Sequence, residues 1–209
     1  MKSITLKKIA LATVGTAIAT FAIESKPVQA TTFFFSDFPS SVAPSFDFSK
    51  GDLDLTVTGQ STNGPRNVFQ GLFGLGVKGG RFDSPQIDGF GPDETLLLNF
   101  DKKVKILSAT FSRVGRNDDF KLLVDGDTLV AADIPGGNSW DLGIRNFNFR
   151  QFSPDNKGFQ FGFTVTGKND DYFLKKVKVK TVPEPATALG LLSVGALGVI
   201  SRRKRQQKG

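Results

Sequence analysis

The chain has 209 residues, a formal net charge of +7, and neither histidine nor cysteine. That composition excludes disulfides, thiol nucleophiles, thiolate or imidazole metal sites and Ser-His-Asp catalysis, because each needs a residue type the chain lacks. The positive charge is confined to the two ends: residues 31–181 carry 18 basic and 18 acidic side chains. A neutral middle removes the main electrostatic support for nucleic-acid binding.

At the N-terminus, Lys2, Lys7 and Lys8 precede an apolar stretch from Ile9 to Ile23, and Val28-Gln29-Ala30 has the small-residue A-x-A pattern. This order predicts an export signal over residues 1–30, forming a signal helix and cut by signal peptidase between Ala30 and Thr31.

Residues 31–181 read as one all-β domain, long enough to bury its own core. Phe33-Phe34-Phe35 is an edge strand or an arm. Leu53, Leu55 and Val57 alternate with polar residues, as one half-buried strand face does. Leu72 to Val77 is a glycine-broken apolar run, and Thr95 to Phe100 is a short buried strand. Val104 to Arg113 follows as a separate strand. Asp125-Gly126 stands between apolar runs, a strong hairpin cue because glycine enters positive φ freely. Ile144 to Phe152 alternates, and Phe159, Phe161, Phe163 and Val165 form the clearest stripe of period two. Tyr172 to Lys180 is a last strand whose lysines suggest a charged edge. Such short strands with frequent turns predict an antiparallel β-sandwich, jelly-roll-like, with a closed barrel as the alternative. Phenylalanine makes up most of the aromatic residues and is assigned chiefly to core filling.

The C-terminal region, residues 182–209, has three parts. Val182-Pro183-Glu184-Pro185 is stiff and extended, since each proline fixes its own φ and biases the preceding residue. The stretch predicted to form a transmembrane helix, 186–201, contains a charge-free run from Ala186 to Ile200, about 22 Å long as a helix. That is short against a bilayer core of roughly 30 Å but sufficient if the bilayer thins or flanking cations snorkel. Arg202, Arg203, Lys204 and Arg205 form a basic stop in the tail 202–209.

These residues resemble the PEP-CTERM sorting signal of Gram-negative-type bacteria. The resemblance implies recognition by an exosortase near Pro183-Glu184-Pro185, transient membrane anchoring, and delivery to the cell surface or extracellular matrix, often with exopolysaccharide. A permanent tail anchor is the alternative. A second likeness lies in Gly74-Leu75-Gly76-Val77, Ile87-Asp88, the run Pro92 to Leu98, Phe100-Asp101 and Ala109-Thr110-Phe111. It is similar to uncharacterised β-domains of PEP-CTERM proteins and implies no activity.

Three chemistries remain open in the middle. Asp83, Asp88, Asp93 and Glu94 are candidate Ca²⁺ ligands, since calcium takes six to eight oxygens, or else solvated turn acids. Asp118-Asp119 and Asp170-Asp171 would complete such a site if they lay at the same end. Trp140 and Tyr172 are candidate sugar platforms, with Phe69, Phe73, Phe82 and Phe90 as further apolar surface. A glycosidase would require Glu94 and an aspartate as its carboxylate pair. The expectation is a non-enzymatic exported protein with a structural or adhesive role, or alternatively a Ca²⁺-dependent lectin-like module.

Overall fold

The computed structural model describes residues 29–135 and 143–183. The expected signal helix, Trp140 and everything from Glu184 onward, including the expected membrane helix, lie outside them. Among the described residues no helix is long and apolar enough to cross a membrane.

The described chain is all-β and antiparallel. Its strands are β1 (Ala30–Phe34), β2 (Ser41–Ala43), β3 (Ser45–Lys50), β4 (Leu53–Ser61), β5 (Gly64–Gly71), β6 (Gly74–Lys78), β7 (Ile87–Asp88), β8 (Glu94–Val114), β9 (Asp119–Val124), β10 (Asp127–Asp133), β11 (Gly143–Asn148), β12 (Lys157–Thr164) and β13 (Asp171–Thr181). A 3-10 turn at Arg150–Phe152 ends the alternation expected to continue through that segment.

β8 organises the fold. Its first half pairs with β4, Leu55 opposite Phe100 and Ser61 opposite Glu94. Its second half pairs with β13, Val104 to Ser112 opposite Thr181 to Phe173. Between the halves, the register with β12 passes from Gly158–Val104 to Gln160–Asn99, so Phe100 to Lys103 face Phe159 alone. An excess of residues on one strand bends it and lets it change layers. The two halves then face each other across the core: Phe111 packs edge-on against Phe163 at 5.9 Å, and Phe163 lies opposite Leu96 in the ladder. The pairings β13–β6, β6–β5, β5–β4, β4–β8 and β8–β13 close a circuit. The two segments read separately in the sequence, 95–100 and 104–113, are therefore one strand around a corner.

The bend also explains a local departure from the expected pattern. Phe161 and Phe163 are fully buried, but Phe159 is half exposed at the bulge. β13 is an interior strand and not the edge its lysines suggested. It carries β8 on one side and β1, β6 and β7 along the other. Lys176, Lys178 and Lys180 alternate with buried Val177 and Val179, so the charge lies on its outer face.

Phenylalanine fills the core as expected. Phe111 meets Phe120 at 5.0 Å and Tyr172 at 5.1 Å, and Phe120, Phe147 and Phe149 continue the cluster. At the other end of the core Phe100 contacts both Phe33 and Phe161 at 5.9 Å. Asp125 and Gly126, at φ +50° and +97°, form the tight turn between β9 and β10 that the sequence predicts. Gly76 meets a different demand: a Cβ there would lie 1.9 Å from the carbonyl oxygen of Pro85.

Candidate functional site

The two ends of the domain differ in chemistry. β13 runs from Asp171 to Thr181, about 33 Å at the usual strand rise. Its beginning marks an acidic end and its finish the end where both termini leave.

At the exit end Ala30 lies opposite Lys180 and Thr31 opposite Val179. The residues flanking the expected export cut are thus the first pairs of the β1–β13 ladder. The Val182 amide donates to the Lys103 carbonyl at 2.8 Å, after which Pro183 is exposed. Of the sorting tetrapeptide, Val182 and Pro183 are described; Glu184, Pro185 and Arg202, Arg203, Lys204 and Arg205 lie outside. The surrounding surface is basic. A groove of about 590 Å³ is lined by Lys105, Arg150, Lys157 and Lys180 together with Ala30 and Val182. Lys102 pairs with Asp52 at 2.9 Å, and that hydrogen bond holds the Asp52 carboxyl below its usual range.

At the other end the fold brings together acids far apart in sequence. Asp88 lies opposite Asp171 across the β7–β13 pair. The Asp171 amide donates to Asp118 at 3.5 Å. The Asp88 amide donates to Glu94 Oε2 at 3.3 Å, and the Phe90 amide to Asp88 Oδ1 at 3.0 Å. Asp88 and Glu94 are both buried. Burial pushes the Asp88 carboxyl up to about 6, with the charges of Asp83 and Asp171 adding to the rise. Burial likewise pushes Glu94 up to about 8, helped by Asp88 and Asp83.

The expected calcium quartet is only partly assembled. Asp83, Asp88 and Glu94 are neighbours, whereas Asp93 is exposed and its carbonyl accepts the Thr62 amide at 3.1 Å. Among the described residues no group of three or more acids is arranged to hold a metal ion. The carboxylates are instead engaged with the chain's own amides. Asp170 Oδ2 accepts from the Thr166 amide, the Thr166 hydroxyl and the Gly167 amide, and Asp118 Oδ2 accepts from the Gly115 amide. The residues present do not fit a calcium cage. They do fit turn acids that satisfy buried backbone donors.

Tyr172 is not a sugar platform. It is fully buried, its hydroxyl donates to the Thr164 carbonyl at 2.7 Å, and burial drives its pKa well above the usual value. Its apolar neighbours in sequence gave no hint of that, since a strand tyrosine faces in or out with equal ease. The exposed aromatics at this end are Phe82 and Phe90, 96% and 85% accessible. They flank a cleft of about 370 Å³ with Arg66, Arg81, Asp83 and Glu94 in its lining. The clustering of these loop residues around Glu94 had no signature in spacing, because it depends on how 79–94 folds back.

The C-terminal end has a relative in kind. The family described as the PEP-CTERM protein-sorting motif matches residues 181–205, beginning on the last residue of β13. The chain is thus a β-domain carrying a sorting signal that implies export, membrane-associated C-terminal sorting and an exosortase as processing partner. No curated protein matches the chain.

Proposed function

We propose that this protein is an exported, non-enzymatic envelope or matrix component whose C-terminal region is removed or exchanged by an exosortase. The supporting observation is the continuity between fold and signal: the motif begins at Thr181, where β13 ends, and only Val182 is tied back to the domain before exposed Pro183. A cut just beyond would leave every strand pairing intact. In this reading residues 1–30 are a signal peptide, 31–181 the mature domain and 186–201 a transient membrane helix. The domain itself is read as a jelly-roll-like sandwich whose corner-turning β8 closes the strand circuit as a barrel would, with a structural or adhesive role alongside exopolysaccharide. Mass spectrometry of surface material tests delivery: the mature chain starts at Thr31 and lacks Arg202 to Gly209. An intact C-terminus there, or the same shortened product in cells without an exosortase, would count against it.

A second reading, saccharide binding, is favoured by the cleft at the acidic end. Exposed Phe82 and Phe90 offer apolar faces beside Arg66 and Arg81, the combination that suits a sugar ring and its hydroxyls. A glycan array tests it, with an EDTA arm for calcium dependence. A signal lost with EDTA would revive the lectin-like alternative, and no signal on any glycan would leave the structural role alone.

A further inference from the structure

We propose that the basic strand end from which both termini leave is a docking surface for anionic phospholipid headgroups. It would hold the β-domain upright on the bilayer while the C-terminal run is inserted. The proposal rests on the sorting reading above.

The groove at this end has four cations in its lining, Lys105, Arg150, Lys157 and Lys180, and no carboxylate. An adjoining groove of about 650 Å³ adds Lys102 and Lys103 beside half-exposed Phe159. Its two acids, Asp52 paired with Lys102 and Asp101 accepting the Asp54 amide at 2.9 Å, balance those two lysines, so the net positive charge of this end comes from the first groove. A half-buried aromatic ringed by lysines matches a headgroup boundary, where apolar and cationic groups are both accommodated.

Chain length selects the occupant. Val182 is fixed to Lys103, and the apolar run begins at Ala186. Three residues beyond Pro183 span at most about 10 Å, which is about one Debye length at moderate salt. When that run lies in a bilayer, the cations fall within reach of its surface charge, where each changes partitioning by roughly fivefold. The far end sets Arg66 and Arg81 among Asp83, Asp88, Asp118, Asp170 and Asp171, so its cations are interspersed with carboxylates and give an anionic surface less to hold than the exit end does. A soluble anionic polysaccharide would find the same cations, but it would compete for space with the exiting chain. Docking would keep the sorting motif close to the plane in which a membrane-embedded enzyme works.

The test uses the full chain in vesicles. It has no native cysteine, so Gln151→Cys beside Arg150 and Asn63→Cys at the far end each take one dye. Energy transfer to headgroup-labelled lipid is compared between pure phosphatidylcholine and a mixture with about one-third phosphatidylglycerol. The expected result is at least a twofold rise in transfer from position 151 with phosphatidylglycerol, and no rise from position 63. The gain should disappear in 0.5 M salt, and with Lys105, Arg150, Lys157 and Lys180 all changed to glutamine. The salt arm needs no variant, so a folding defect in the quadruple change does not obscure the answer. Equal transfer in both lipids, or a gain that survives salt, overturns docking while leaving the sorting reading standing. Displacement by soluble alginate at matched charge overturns it in favour of a polysaccharide site. Failure of the chain to float with either vesicle sinks the membrane reading and the docking together.

Discussion

Ala30 and Lys180 face each other in the β1–β13 ladder, one residue before the matched sorting motif starts. The expected export cut, after Ala30, therefore lies beside the strand end from which the sorting motif departs. Thr31 onward keeps its partners after an export cut, because β1 buries Phe33 against Phe100 at 5.9 Å while Phe34 stays exposed. Phe33→Ala should cost about 3–4 kcal/mol in guanidinium unfolding. Phe34→Ala should change stability by less than about 0.5 kcal/mol. Equal costs would mean that β1 does not hold this register.

Phe111, on the second half of β8, lies among the rings of Phe120, Phe163 and Tyr172. Its removal leaves a cavity that three rigid aromatics cannot fill. Phe111→Ala is expected to lose about 4–5 kcal/mol, and Phe111→Leu about half of that. Thermal unfolding followed by near-ultraviolet circular dichroism reads both.

The buried acids give stability a pH slope of known sign. Asp88 and Glu94 have raised pKa values in the fold, about 6 and about 8, so the folded state binds more protons than the unfolded chain above pH 4. Stability contributed by these groups is therefore present at low pH and lost as pH rises through these values. The melting temperature should be higher near pH 5 than near pH 8.5. Glu94→Gln, which keeps the shape without the charge, should flatten that slope and stabilise the chain by about 1–3 kcal/mol at pH 8.5. A variant that is less stable at pH 8.5 would show that Glu94 is charged and paired.

Phe82 and Phe90 separate binding from folding. Both project into solvent, so Phe82→Ala and Phe90→Ala should each shift stability by less than about 0.5 kcal/mol. If the cleft holds a saccharide, retention on the cognate glycan should fall at least tenfold in the double variant. Unchanged retention would place the sugar elsewhere, and a large loss of stability would mean that the rings pack against something in the intact protein.

Much of the β-domain was legible one segment at a time. The stripe at Leu53, Leu55 and Val57 and the Asp125-Gly126 turn follow from period-two burial and positive φ, both local properties. Phe159 was misplaced because the bulge beside it is set by β8, not by its own neighbours. Tyr172 was misread for the same reason: whether a strand residue faces the core depends on which layer its strand joins. The acidic end was named residue by residue, yet its grouping was hidden, since Asp88 and Asp171 meet only when β7 pairs with β13.

The sequence by itself carried the sorting signal, which implies export. A sorting signal is read by other proteins as a short linear string, so its meaning survives without a fold. Only the tertiary structure decided that β13 is interior, that the acids serve backbone amides, and that the cations of four separate segments gather where the chain leaves. Those facts arise from contacts between residues tens of positions apart, and the corner in β8, which fixes them, is set by an unequal count of residues on two paired strands.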